Sequence, residues 1–379
     1  MSELNASNLR KEHGNEGPDL VGTTELTSPY FMVPPSGTTD ERPQNPQKGT
    51  LRFNTDIGTL EYFRGDVIGW EQIQRRESQY LGGGDNSNAG LGNRGLYMGG
   101  STPTMLNNID FLTIPTFGNS QDFGDLTATK ASTNAFGSHT RGATCGGVTP
   151  SNTNDTDMVF FSSLGNATDY ATLSENKKEA GVLSDKTRAV HIGGGNNKME
   201  YITIEQGGTW VDFGNLTADA EQCMGLSSST RGVVAQGNVV PSGLTNAVDY
   251  ITIVTYGNSS DFGDLTDARY GGCSGSNATR GCFSGGWSPT VVNVIDYITI
   301  ATLGSAIDFG DMTQAKYNLS GSMSSKTRMV IGGGHQNPDP AVNTIESWEF
   351  ATTGNGTDFG VLTAAKSGGG QCSNGHGGL

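Results

Sequence analysis

The sequence of 379 residues has few features that would point to a membrane or a nucleic acid. Its 23 basic residues are outnumbered by 38 acidic ones, and the net charge of −15 argues against nucleic-acid binding, because phosphate contacts need a basic stripe. No apolar run approaches the ~18 residues of a membrane span, and the first thirty residues lack the apolar stretch of a secretion signal. We therefore expect a soluble protein that inserts into no membrane.

Motifs that carry catalysis or bind metal ions are also missing. The five cysteines form no CxxC pair, so neither a disulfide framework nor a zinc site is expected. The five histidines show no ligand spacing such as HExxH, and there is no GxSxG elbow or P-loop. We predict no catalytic residue, no metal site and no cofactor. Because carboxylates are plentiful, a glycosidase pair stays open as an alternative.

What the sequence does contain is a repeat of roughly 47 residues. Asp-Phe-Gly, a further residue, and then Leu-Thr or Met-Thr occur at 122–127, 212–217, 261–266, 308–313 and 358–363, with a degenerate copy at 169–174. The runs between these motifs are short, β-branched and aromatic, and Gly, Asn, Ser and Pro bound them, which is typical of strands. About four short strands in each repeat predict the blades of a β-propeller.

Each repeat also carries one arginine, followed six residues later by glycine, and one acidic residue that opens an apolar run. Strand alternation places Asp296 on the same face as Ile298, so the acid should be partly buried and should need a partner. We expect an Arg–carboxylate pair within a blade or between neighbouring blades, for example Arg280 with Asp296. An array of arginines that lines an anion site is the alternative. The residues concerned are Arg94, Arg141, Arg188, Arg231, Arg280 and Arg328, with Asp110, Asp157, Glu200, Asp249, Asp296 and Glu346.

The repeats predict six blades over residues 94–379. The C-terminal strand around Cys372 lacks a following arginine strand, and the first arginine strand, at Arg94, lacks a preceding one. We therefore expect an all-β, six-bladed propeller in which the C-terminal strand completes the first blade and closes the ring. The order of Leu-Thr-x-Ala-Arg/Lys, a strand ending in Gly-Gly, a loop and an acidic-Tyr strand resembles the kelch propeller family. It departs from kelch blades in having Asp-Phe-Gly near the place where they usually carry Trp.

Residues 1–93 differ from the repeats. Residues 1–47 are rich in Pro, Ser and Asn and predict an extended arm, residues 48–80 predict a small β-meander, and residues 81–93 predict a linker. The stretch from Gly49 to Trp70 resembles a module at the start of many tailed-bacteriophage virion proteins, including tail-fibre and decoration proteins. The residues that match its pattern include Arg52, Asn54, Asp56, Gly58 and Trp70.

Function is expected where the repeats differ, in the loops after the Gly-Gly pairs. An aromatic ring beside amide, hydroxyl and imidazole groups would suit sugar binding, and a variable loop without a ligand is the alternative. The candidate ligand-binding residues are Trp287, Ser288, His335, Gln336, Asn337, Asn196 and Asn197.

Together, the two resemblances imply a non-enzymatic phage virion structural protein, anchored by residues 1–80 and displayed on the virion surface. Its propeller would recognise a host-surface glycan or decorate the particle, with other virion proteins, and copies of itself, as partners. A purely structural capsid or tail decoration protein is the first alternative. A polysaccharide-degrading or oxidising enzyme on a propeller scaffold is the second.

Overall fold

The structure, a computed structural model, describes residues 34–56, 59–66, 69–72, 94–337 and 340–379. Within these ranges every regular element is a β-strand, which confirms the predicted all-β class. No helix in them is long and apolar enough to cross a membrane. The chain divides into two compact units, the first ending at Arg75 and the second beginning at Arg76. Residues 1–33, Gly58 and the predicted linker 81–93 lie outside the described ranges.

The first unit contains a four-stranded sheet, of which three antiparallel strands are the expected meander. The fourth strand, Ser36–Gly37, pairs in parallel with Leu51–Asn54, since Phe53 N donates to Pro35 O at 2.7 Å. Residues 36–37, which fall within the predicted extended arm, therefore add a strand to the meander. The remaining strands are Thr59–Phe63 and Trp70–Gln72.

Six sheets, each with four main antiparallel strands, form most of the described part of the second unit, together with two two-stranded sheets. The second to sixth sheets each take four successive main strands of the chain, and short extra strands extend three of the sheets. The second sheet comprises Asn134–Gly137, Arg141–Cys145, Thr153–Phe160 and Thr168–Lys177. The third comprises Gly181–Ser184, Arg188–Ile192, Asn196–Thr203 and Val211–Glu221. The fourth comprises Met224–Ser227, Arg231–Ala235, Ala247–Thr252 and Ser260–Asp264. The fifth and sixth comprise Cys273–Ser276, Arg280–Ser284, Val294–Thr299 and Ile307–Asp311; and Met323–Ser324, Arg328–Gly332, Thr344–Glu349 and Thr357–Val361.

The first sheet combines the two ends of the second unit. Its strands are Gly370–Ser373, Arg94–Met98, Asn108–Thr113 and Gln121–Asp125. The C-terminal strand lies antiparallel to Arg94–Met98, with Gln371 opposite Tyr97, which is the pairing predicted from the repeat. Short additional strands are Ser101–Thr102, Thr104–Met105, Gly208–Thr209, Asn238–Val239, Gly243–Leu244, Trp287–Ser288, Thr290–Val291 and Ser320–Gly321.

The apolar core lies between the faces of successive sheets. One cluster joins Leu226 and Val233 of the fourth sheet to Phe283 and Ile298 of the fifth, all at most 3% exposed. Because each sheet is covered on both faces by its neighbours, the second strand of each sheet is buried in a continuous run rather than in strict alternation, as in Arg280–Ser284. A corresponding cluster joins the sixth sheet to the first, through Val330, Ile345, Leu112 and Ile114.

The first strands of neighbouring sheets also contact one another in chain order, and the first strand of the sixth sheet contacts that of the first. Serine side chains make hydrogen bonds across several of these contacts. Ser276 Oγ donates to Ser227 O and Ser227 Oγ to Ser184 O, both at 2.7 Å, and Ser373 Oγ donates to Ser324 O at 2.5 Å. These bonds satisfy backbone carbonyls at strand ends that are buried away from water.

A second set of contacts comes from the loop between the third and fourth strands in five of the six sheets. Asn355 Oδ1 accepts a hydrogen bond from Asp311 N of the preceding sheet at 3.1 Å, and Asn119 Oδ1 accepts one from Val361 N at the same distance. The equivalent acceptors at three further junctions are Asn166, Asn258 and Ser305.

The glycine of Asp-Phe-Gly is needed where two sheets meet closely. Gly310 has a φ of 147°, and a Cβ added there would lie 2.5 Å from the carbonyl oxygen of Gly354 in the next sheet. A side chain at this position would therefore strain the backbone and also push the two sheets apart.

Two alanine substitutions separate these effects. Gly304 has a φ of 148°, but a Cβ added there meets nothing within 4 Å. We expect Gly304→Ala to lower the free energy of unfolding by about 1–2 kcal/mol through backbone strain alone. Gly310→Ala should cost about 1–3 kcal/mol more, because of the clash with backbone. Urea unfolding monitored by circular dichroism measures both, and equal losses would contradict the close contact.

Candidate functional site

The repeated acidic residue lies between two sheets and is held by the sheet before it. Asp296, in the third strand of the fifth sheet, accepts hydrogen bonds from Thr266 Oγ1 at 2.7 Å and Thr266 N at 3.1 Å. Arg269 places its Nη2 2.9 Å from the same carboxylate, and both charged side chains are 0% exposed. We call this arrangement of acid, threonine and cation the clasp. It supplies the partner that a buried carboxylate needs.

The clasp recurs at three other junctions. Lys316 and Thr313 hold Glu346, with Lys316 Nζ 2.6 Å from the carboxylate. Lys366 lies 3.2 Å from Asp110, so the sixth sheet holds the first in the same way, and burial lowers the pKa of Lys366 against the opposing effect of Asp110. The remaining copy comprises Asp157, Thr127 and Lys130.

One junction modifies the clasp by turning its cation away. Glu200 accepts from the Ser174 hydroxyl, while Lys177 donates to Gly193 O at 3.1 Å and Asn196 Oδ1 at 2.5 Å. The acid here is held by a hydroxyl, and the buried cation by neutral oxygen atoms.

Another junction, between the third and fourth sheets, has no cation at this position. Asp249 accepts from Thr217 Oγ1 at 2.8 Å and Ser259 Oγ at 2.6 Å, but Ala220 occupies the place of the lysine. Gln236 donates through Nε2 to Thr217 Oγ1 at 2.5 Å. Gln236 stands where most repeats have the first glycine of Gly-Gly, so a neutral donor accompanies the loss of the charge.

The predicted pairing of the repeated arginines with the repeated acids is wrong. Among the described residues, none of the six arginines forms an ion pair with one of the six acids. Each arginine instead donates to a backbone carbonyl of the following sheet and lies 4.5–5.6 Å over an aromatic ring. In the order Arg94, Arg141, Arg188, Arg231, Arg280, Arg328, the acceptors are Phe161, Ile204, Ile253, Ile300, Phe350 and Ile114. The arginines are thus engaged with the fold at the sheet junctions rather than arranged as an anion site.

In the first unit, the predicted module residues form one polar cluster. Glu61 is 0% exposed and bonds Arg42 Nη2 at 2.5 Å, Arg52 Nη1 lies 3.5 Å away, and Asn54 Nδ2 donates to it at 3.2 Å. The hydrogen bond from Arg42 holds the pKa of Glu61 below its ordinary value. Both guanidinium groups lie about 6 Å from the centre of the Trp70 ring.

Asp56 completes this cluster at its edge. Its Oδ2 accepts a hydrogen bond from Thr39 N at 2.7 Å, which lowers the pKa of the carboxyl group, and Asn54 Oδ1 accepts from Asp56 N at 3.0 Å. The module residues that the structure describes therefore fold the sheet itself and tie residues 38–42 to it.

The five buried cysteine thiols are poorly suited to nucleophilic chemistry, because the thiolate is the reactive form of the side chain. Burial raises the pKa of all five cysteine thiols to about 12, and burial lowers the pKa of His191 to about 3. In the described ranges, no group of three or more His, Cys, Asp or Glu side chains is placed to hold a metal ion.

The structure brings two of the predicted loop residues into one aromatic group. Each sheet has an end at which its second strand runs into Gly-Gly, or into Gln236-Gly237 in the fourth sheet, and we call this end the glycine end. There the Trp287 ring lies 5.5 Å from the Tyr317 ring, at 67° to it, and the Tyr317 ring lies 5.7 Å from that of His335. Trp287 N donates to Tyr270 O at 2.8 Å, which adds a fourth aromatic residue. We call these four residues the aromatic patch.

The other predicted loop residues divide into two groups. Ser288, Gln336 and Asn337 directly follow members of the aromatic patch in the chain. Asn196 is instead engaged by the Lys177 ammonium and by Lys198 N, so its side chain serves the loop. Asn197 lies in the same strand, away from the aromatic patch in the chain.

Tyr270 and Tyr317 were missed by the sequence prediction. Both directly follow the Ala-Arg or Ala-Lys pair, where other repeats have Ala131 or Ser367. A comparison of repeats at this position would have found them, because they replace small residues by large aromatic ones.

In comparisons with known proteins, no family model matches the chain, and no curated protein is similar enough in sequence to count as a relative.

A double-mutant cycle tests the partner of Asp296. Arg269→Met combined with Asp296→Asn should give a coupling free energy of about 2 kcal/mol or more, since each single change leaves a buried group unpaired. Arg280→Met is the matched control, with an expected coupling below about 0.5 kcal/mol. Urea unfolding of the four chains in each cycle measures the coupling, and a larger value for Arg280 would contradict the assignment.

Proposed function

We propose that the six sheets are the blades of a closed, kelch-like β-propeller that serves for display rather than for catalysis. The support is the cyclic order of the contacts between sheets. Clasps, arginine–carbonyl bonds and loop asparagine bonds each join a sheet to its neighbour in chain order, and each set includes a bond between the sixth sheet and the first. A repeated bond of this kind is what a ring of equivalent blades requires.

We further propose that the protein is a structural component of a phage virion. The resemblance of residues 49–70 to the virion module supports this, and the cluster around Glu61 gives the resemblance a physical basis. Arg52 and Asn54, two residues of the pattern, contact that buried carboxylate, and the Arg52 guanidinium lies 6.0 Å from the ring of Trp70, a third. The module would then act as an anchor to other virion proteins or to copies of itself.

The engagement of the repeated charged residues favours recognition or decoration over catalysis. Asp296 and Glu346 are examples of acids that are buried and already bonded to threonine and a cation, so they are poorly placed to act as an acid–base pair on a substrate. The repeat-breaking residues cluster instead at the glycine end. We propose display of the propeller for binding a host-surface glycan, or for decorating the particle, with purely structural decoration as the second candidate.

Immunogold labelling of purified particles of the virus that encodes this chain tests the proposal. We expect an antibody against residues 94–379 to label the particle surface, because the anchored unit leaves the propeller accessible. Label on the head would favour decoration and label on the tail would favour host recognition. Intact particles without label would contradict the virion assignment.

A truncated chain serves as the control for anchoring. A chain that begins at Arg76 should remain folded, since the second unit is compact by itself, but it should fail to enter particles when it replaces the full chain. Incorporation equal to that of the full chain would show that residues 1–75 are not the anchor.

A further inference from the structure

We propose that the aromatic patch, Tyr270, Trp287, Tyr317 and His335, is a saccharide-binding site that accommodates a pyranose with an exposed apolar face. This inference deepens the proposed display function and rests on it for its biological role. The binding chemistry, however, follows from the four side chains themselves.

The residues of the aromatic patch differ from those of the other repeats at one structural position. At four junctions a residue after the fourth strand forms a backbone bridge with a residue after Gly-Gly in the next sheet. Two of these bridges join small or aliphatic residues, Ser367 with Ser101 and Ala131 with Val148. The other two, at successive junctions, join Tyr270 with Trp287 and Tyr317 with His335. The fold therefore needs no aromatic side chain at these positions.

These bridges also fix the backbone of the residues that carry the rings. Tyr317 N donates to His335 O at 2.9 Å and His335 N to Tyr317 O at 2.8 Å. Trp287 and Tyr270 make the corresponding pair of bonds at 2.8 and 3.2 Å. A backbone paired in this way is already ordered before a ligand binds, which favours affinity.

Every ring of the aromatic patch retains an unused polar group. Within the described residues, no side-chain hydrogen bond engages the hydroxyls of Tyr270 and Tyr317, the Trp287 indole N–H or the His335 imidazole, and all four residues are partly exposed. Aromatic rings that end in free donors and acceptors combine apolar contact with directed hydrogen bonding. Such a surface is complementary to a ligand that has an apolar face edged by hydroxyl groups.

The surrounding chemistry favours a sugar over other amphipathic ligands. The residues that follow the rings, Ser288, Gln336 and Asn337, are uncharged hydrogen-bonding residues. With a net charge of −15, the chain disfavours a polyanion such as a nucleic acid. A neutral pyranoside needs no counter-charge, and its C–H face matches an aromatic ring while its hydroxyls match the amide and hydroxyl groups.

The test applies the purified full chain to an array of immobilised neutral and uronic-acid oligosaccharides, followed by calorimetric titration with the strongest binder. Trp287→Ser and Tyr317→Ser introduce the serine that occupies the equivalent positions, Ser101 and Ser367, where the sixth sheet meets the first. We expect each to weaken binding by at least about tenfold, because central aromatic residues dominate affinity. Leu303→Ser is the control, since Leu303 is an apolar residue 57% exposed at the opposite end of the sheets, and binding should be unchanged.

The outcomes separate this inference from the proposed function. Binding that is lost in Trp287→Ser or Tyr317→Ser, with unchanged thermal unfolding, supports the site. If Trp287→Ser does not fold, Tyr317→Ser is measured instead. Trp287→Phe is measured as well, and it should retain part of the affinity. No binding on the array, or binding that both serine variants retain, overturns the inference even if the particles are labelled. Because the array needs no virion, unlabelled particles would overturn only the virion assignment.

Discussion

The constraint on which the structure of the second unit depends is the burial of one carboxylate per repeat between two sheets. Such a group is unstable unless it is bonded, and every bond to it from another sheet comes from the sheet before it, as Thr266 and Arg269 do for Asp296. The acid therefore determines which sheets are neighbours, and the same relation places Asp110 beside Lys366 across 256 residues of chain. The repeated arginines, serines and loop asparagines follow that order.

Within each repeat, the residues that join the sheets differ from the residues that are available to a ligand. Residues that recur, such as the acid of the clasp and the arginine over its aromatic ring, join one sheet to the next and have little left to offer a ligand. The side chains of residues that differ between repeats, such as Trp287 and Tyr317, take no part in joining the sheets, and their polar groups make no hydrogen bond within the described residues. The proposed recognition site is supported because the fold does not require its aromatic side chains. The proposed anchor is supported by the polar cluster around Glu61, which the fold of the first unit does require.

The sequence alone predicted the strands, their number per repeat and the pairing of the C-terminal strand, because these depend on periodicity. It predicted that the acid needs a buried partner but chose Arg280 for Asp296, since an arginine occurs in all six repeats, whereas the lysine or arginine after Thr-x-x or Ser-x-x occurs in five. The true partner lies on a neighbouring sheet, and spacing within one repeat does not report contacts between repeats. Trp287 and His335 were predicted by their residue types, and Tyr317, which joins them, was missed because it follows the Ala-Lys pair and does not lie in a loop after Gly-Gly.

A pair of engineered disulfides tests the closed order of the sheets most directly. Asn119 Oδ1 and Val361 N are 3.1 Å apart where the first sheet meets the sixth, and Asn355 Oδ1 and Asp311 N are 3.1 Å apart at a junction of sheets adjacent in the chain. The five native cysteines are buried, so cysteines at these exposed or half-exposed positions should react selectively. The account predicts that Asn119→Cys/Val361→Cys and Asn355→Cys/Asp311→Cys form intramolecular disulfides to the same extent, measured by mass spectrometry of linked peptides. A disulfide in the second pair but not in the first would contradict a closed ring.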